Sequence, residues 1–144
     1  MFNKKILLSL LALVFSIALL SSNDAYSQTK PTVSVSTNKK SYNPGESGVL
    51  IVKFKTAKGV KIPKMPNIKI TINSGVTGSG IQDYSGNGAG EYLGNNTVKY
   101  NFKVPGNASG KVTIGGSVKY GYCNETDGIC KIGSTNFSKS ISVK

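Results

Sequence analysis

From residue 32 onward, apolar and polar side chains alternate with a period of two, and almost nothing repeats at helical spacing. The segment "TVSVST" (32–37) alternates cleanly, and "YNPG" (42–45) places proline before glycine as a tight turn requires. A strand apolar on both faces at its start follows in "GVLIVKFK" (48–55). In "NIKITIN" (67–73), Ile68, Ile70 and Ile72 share one side while Lys69 and Thr71 take the other. The same division places Val98, Tyr100, Phe102 and Val104 together in "TVKYNFKV" (97–104), and Val112, Ile114, Val118 and Tyr120 together in "GKVTIGGSVKYGY" (110–122). A last strand is expected in "TNFSKSISV" (135–143), and a short one near 60–62.

Short strands joined by turn signals such as "VPGNASG", with no helix of useful length, predict an all-β fold: an immunoglobulin-like antiparallel β-sandwich of about seven strands. The buried tryptophan and wide cysteine spacing of antibody domains are missing, so the term describes architecture and carries no function. One segment resists the pattern. Residues 74–95, "SGVTGSGIQDYSGNGAGEYLGN", contain seven glycines, and a loop of more than about 15 residues is usually functional or hides an element. Residues 81–84 are the candidate element, and Tyr84 and Tyr92 either pin the loop to the sandwich or serve a site.

Ahead of the strands, residues 1–27 have the three zones of a secretory signal peptide. Lys4 and Lys5 are the positive end, 6–20 is apolar apart from Ser9 and Ser16, and Ala25 and Ser27 are small residues at a cleavage site. The apolar run falls short of the about 20 residues a membrane crossing needs, so cleavage is expected rather than anchoring. Residues 28–144 would then be a single exported domain, periplasmic or secreted.

The chain has 18 cations, all of them lysine, and 6 acids. Without Lys4, Lys5 and Asp24 there remain 16 lysines against 5 acids, a net charge of +11. Arginine, which makes the bidentate contacts to phosphate and guanine, is absent, so no nucleic-acid partner is expected. Lys53, Lys55, Lys99, Lys103, Lys111 and Lys119 fall on the outward phases of their strands, where they are solvated and protect edges. Lacking histidine, the chain has no histidine-based triad and none of the common imidazole zinc sites; no metal and no cofactor are expected.

Candidate chemistry comes down to two cysteines in "YGYCNETDGIC" (120–130). Export permits a disulfide, and with two cysteines there is one pairing to consider. Cys123 ends one strand and Cys130 precedes the next, so the sulfurs are expected at neighbouring strand ends, at the usual Cα separation of about 5.5–6 Å. Closing this eight-residue ring stabilises by only about 2.5 kcal/mol on the chain-entropy estimate. As a staple the placement is weak; as a target for a partner's thiolate, the tip of a sheet is favourable. Lys119 and Lys131 would favour a thiolate here, whereas Glu125 and Asp127 would oppose one.

The run "VTIGGSVKYGYCNETDGICKIGSTNFSKSISV" resembles the end of the N-terminal domain of the thiol:disulfide interchange protein DsbD, and "IQDYSGNGAGEYLGNNTVKYNFKV" resembles that family's cap segment. "SYNPGESGVLIVKF" is similar to its first strands. The resemblance implies a redox-active pair, Cys123 and Cys130, of a thiol-disulfide oxidoreductase type. It implies a cap of Tyr84 with Asp83 beside it, and Tyr122 as a wall of the site. The implied partners are a thioredoxin-like or membrane electron-transfer donor and a periplasmic acceptor. The chain departs from the family in its longer cysteine spacing, in the absence of proline from "CKIGS", and in having neither the membrane nor the thioredoxin domain. Two other readings stand beside this one: a non-enzymatic secreted binding or assembly module with a structural hairpin bridge, and a polycationic surface binder.

Overall fold

The structure, a computed structural model, describes residues 29–144; the expected signal segment, 1–27, lies outside the described residues. Nine strands follow in order: β1 (Thr32–Thr37), β2 (Ser41–Tyr42), β3 (Ser47–Lys55), β4 (Val60–Lys61), β5 (Lys69–Ser74), β6 (Thr77–Asp83), β7 (Thr97–Lys103), β8 (Gly110–Asn124) and β9 (Cys130–Val143). One sheet runs β1-β3-β7-β6, the other β2-β9-β8-β4 with β5 also paired to β8. The two sheets form the β-sandwich that the alternation implies. Among the described residues no helix is long and apolar enough to cross a membrane.

The period-two pattern becomes the core directly. Along β7, Val98, Tyr100 and Phe102 are buried while Lys99, Asn101 and Lys103 are exposed. On β8 the even positions Ile114, Val118, Tyr120 and Tyr122 are buried, and all six lysines expected to face outward are exposed. The sheets meet through aromatic edges: Phe54 of β3 lies 4.9 Å from Tyr120 of β8, ring centre to ring centre. Each large apolar side chain so buried contributes about 1.5–3 kcal/mol.

Three features depart from the sequence reading. The last strand begins at Cys130 rather than 135, and β2, two residues long, pairs with β9 in parallel, the exception in an otherwise antiparallel fold. The third departure is β6, which fills part of the glycine-rich segment and extends well before residue 81. It pairs with β7 through an irregularity between Gly78 and Gln82. Here the Tyr100 side chain occupies the space: a Cβ on Gly78 would lie 2.4 Å from its hydroxyl, which also accepts a hydrogen bond from Gly80 N–H at 2.9 Å. Gly80 itself has φ of +79°, so the strand needs glycine where the pattern reads loop.

In the rest of that segment one buried side chain closes several bonds. Asn87, 4% exposed, donates from Nδ2 to the carbonyls of Tyr84 (3.1 Å) and Thr97 (2.7 Å) and accepts from Asn95 N–H at 3.2 Å. Asn87→Ala removes all three bonds, leaving the Tyr84 carbonyl with the residue 87 N–H alone, so it should lower unfolding free energy by about 1–3 kcal/mol, read from urea denaturation.

Candidate functional site

Cys123 and Cys130 sit directly opposite each other on β8 and β9 and are joined in a disulfide. Their Cα atoms are 4.0 Å apart, closer than the sequence reading expects. The reason is the ladder. Asn124 N–H donates to the Ile129 carbonyl at 3.0 Å, one step beyond the cysteines, so the two form a non-hydrogen-bonded pair, the class in which antiparallel Cα atoms come within about 4.5 Å. The connecting turn is held by its own groups: Gly128 N–H on the Asn124 carbonyl (2.9 Å), Thr126 N–H on Asn124 Oδ1 (2.9 Å) and Ile129 N–H on Asp127 Oδ1 (2.8 Å).

Odd positions of β8 and even positions of β9 point away from the core, so the bridge lies on the outer face of its sheet beside Gly121 and Ile132. Two segments rise over that face. The β4–β5 connection contributes Pro63, Lys64, Met65 and Pro66, and the loop before β7 contributes Gly90, Glu91 and Tyr92. They are strapped together by Lys64 N–H on the Glu91 carbonyl (2.8 Å), Leu93 N–H on the Ile62 carbonyl (2.9 Å) and Lys64 Nζ on the Gly88 carbonyl (2.6 Å). Gly121 gives Pro63 its seat, since a Cβ there would stand 3.2 Å from the ring. The result is a cleft of about 590 Å³ with the disulfide among its lining residues.

The two cysteines are unequally exposed. Cys123 is 5% exposed, whereas Cys130 is exposed. Large apolar side chains surround them in the open: Met65 is 71% exposed, Ile132 59% and Tyr92 38%. Lys64, Lys131 and Glu91 are the charged residues of the lining. Glu125 and Asp127 are engaged elsewhere, Glu125 in a salt bridge with Lys61 and Asp127 on Ile129 N–H. The Glu125 carboxylate raises the Lys61 pKa above its ordinary value, and the Lys61 ammonium lies 5.6 Å from the centre of the Tyr92 ring. Lys61 therefore links the cysteine turn to the wall of the cleft.

Tyr84, Asp83 and Tyr122 are not among the residues lining the cleft. Tyr84 is half-buried against the core, and its hydroxyl accepts the Ile68 N–H at 3.0 Å, so it pins the loop to the sandwich; burial raises its phenol pKa. Asp83 accepts from Ser85 N–H (2.7 Å) and Oγ (3.0 Å), and these bonds lower its pKa. Tyr122 lies on the core phase, its ring centre 6.2 Å from that of Tyr120, on the opposite face of the strand from Cys123. The aromatic residue that lines the cleft with the bridge is Tyr92. Sequence reasoning also missed Pro63–Pro66; "PKMP", with methionine between two prolines, was the available signal of a rigid, irregular connection carrying an exposed apolar side chain.

No protein-family model matches the chain, and no curated protein matches it. Among solved structures it is similar to AggA, the major subunit of aggregative adherence fimbriae type I from Escherichia coli. The identity is 11%, covering 81% of this chain and 97% of that one, with a TM-score of 0.39. A likeness of that size supports no statement about this chain's role.

Proposed function

We propose that this chain is an exported module that receives a partner protein on the cleft around Cys123–Cys130 and exchanges that disulfide with the partner's thiols. The observation that carries the reading is a disulfide with one exposed member, Cys130, set in a cleft rimmed by exposed Met65, Ile132 and Tyr92. Exposed apolar groups around a reactive centre are what a docking protein covers.

The step balances without a cofactor. A partner thiolate attacks Cys130 Sγ, forming a mixed disulfide, while Cys123 Sγ leaves with the electron pair and takes up a proton. The partner's second thiolate then attacks the mixed disulfide and releases Cys130, so the partner is oxidised and the cysteine pair gains two electrons. Run in reverse against an oxidised acceptor, the pair is reoxidised. The donor in this scheme is a thioredoxin-like or membrane electron-transfer protein and the acceptor an exported protein.

The exposed rim also supports a second reading, a secreted binding or assembly module whose bridge only holds the turn. Redox equilibration separates the two. An exchanging bridge should be opened by a reduced thioredoxin-like dithiol and by glutathione, with a reduction potential less negative than about −300 mV. Ile132→Glu should slow the protein dithiol about tenfold and leave the rate with dithiothreitol unchanged, because only the protein uses the rim. A bridge that resists both reductants would leave the binding module alone standing.

A further inference from the structure

We infer that the free edge of β9 is a second docking element, which takes up an extended acidic segment of another protein as an added strand. The ladder fixes which groups are available. Because Cys123 and Cys130 are a non-hydrogen-bonded pair, Cys130, Ile132, Ser134, Asn136, Ser138 and Ser140 direct their N–H and C=O groups away from β8. Two observed bonds agree with that parity: Ser142 N–H donates outward to the Lys40 carbonyl at 3.0 Å, and the Ser134 carbonyl accepts from Lys30 Nζ at 2.8 Å. β2 pairs β9 only at Ser142 and Val143. Among the described residues, the edge from Cys130 to Ser140 therefore has no strand paired to it, although β1 of the other sheet passes near β9. An uncovered edge of this length is a template for strand addition, and proteins commonly blunt such edges with charge, proline or a bulge.

Neither proline nor a register shift interrupts β9. The side chains sharing the outer face beyond Ile132 are small and polar, Ser134, Asn136, Ser138 and Ser140, and do not obstruct an incoming backbone. Charge selects the occupant. Lys131 and Lys139 lie on the alternate phase, neither is in a salt bridge among the described residues, and Lys30 reaches the middle of the edge. A second copy of the chain, paired antiparallel about Thr135, would set Lys131 against Lys139, on molecules that each carry a large positive charge. A strand with acidic residues at alternate positions meets the same lysines favourably. Ile132 belongs both to this edge and to the cleft, so an added strand runs toward the bridge. The inference stands whether or not the disulfide exchanges.

Amide hydrogen exchange on the protein tests it without touching the cysteines. In the free protein the amides of Ile132, Asn136 and Ser138 should exchange much faster than those of Gly133, Thr135 and Phe137, which face β8. A cysteine-free synthetic peptide of about eight residues alternating valine and glutamate should slow the first set about tenfold, while a valine–lysine peptide should not. Asn136→Pro removes one outward donor at an edge position, where proline is tolerated, and should abolish that slowing. The inference is overturned if the even-numbered amides are already as protected as the odd ones, which would mean the chain covers its own edge. Protection that rises with protein concentration would overturn it in favour of a second copy. It also falls if the acidic peptide leaves the rates unchanged or if the basic peptide acts equally.

Discussion

Tyr120→Ala should cost about 3–5 kcal/mol, most of the stability of a marginal domain, and leave a large unfolded fraction at 37 °C by circular dichroism. The residue is 2% exposed and joins three parts of the fold. Its ring meets Phe54 across the two sheets at 4.9 Å, and its hydroxyl donates to the Pro31 carbonyl at 3.1 Å, tying down the segment before β1. On the neighbouring strand Gly133 leaves the space the ring occupies, since a Cβ there would lie 2.7 Å from it. Tyr120→Phe keeps the ring and loses only the hydroxyl, so the expected cost falls to about 1 kcal/mol. The two variants also separate in pH. Burial raises the Tyr120 phenol pKa, so its contribution is fully present below the unfolded value of about 10 and is lost as pH rises through the folded value. Urea titrations through that range should show the wild type losing part of its advantage over Tyr120→Phe.

The inward phase of Tyr120 was readable because its strand alternates without interruption, and the same holds for β1 and β7, whose partners merely complete a pattern already local to each. β6 was not readable as a whole. Its glycines read as loop, and their cause, the Tyr100 side chain lying across them, comes from a strand about twenty residues later. The candidate site divides in the same way. Adjacent strands and a turn between Cys123 and Cys130 are local facts, so the bridge follows from the sequence, and its short Cα separation follows from ladder parity. The walls of the cleft are not local: Pro63 meets Tyr92 in an isolated bridge and sits on Gly121, and nothing near any of the three residues announces the others. For that reason the tyrosine lining the cleft is Tyr92, while Tyr84, with similar neighbours in sequence, accepts the Ile68 N–H just before β5.

The unequal burial of the two cysteines should make the single-cysteine variants behave oppositely. Cys123→Ala leaves a thiol at the exposed position, and Cys130→Ala leaves one that is nearly covered. Attack in thiol-disulfide exchange requires the incoming disulfide to reach the sulfur in line, so the thiol of Cys123→Ala should react with a small aromatic disulfide about tenfold faster, followed by absorbance of the released thiolate. With an oxidised thioredoxin-like protein the contrast should widen, because a protein cannot thread past Pro63 and Tyr92: Cys123→Ala should accumulate a mixed disulfide on a non-reducing gel and Cys130→Ala none. Folding does not confound the comparison. The turn keeps its three hydrogen bonds, one to a backbone carbonyl and two to side-chain oxygens, and the Lys61–Glu125 salt bridge without the disulfide, and losing an eight-residue ring costs at most about 2.5 kcal/mol in either variant. Equal trapping by both variants would mean that the cleft opens far enough to bring the Cys123 thiol to the partner. Trapping by neither, with both thiols reactive toward the small reagent, would remove exchange with protein partners and leave the cleft as a binding surface alone.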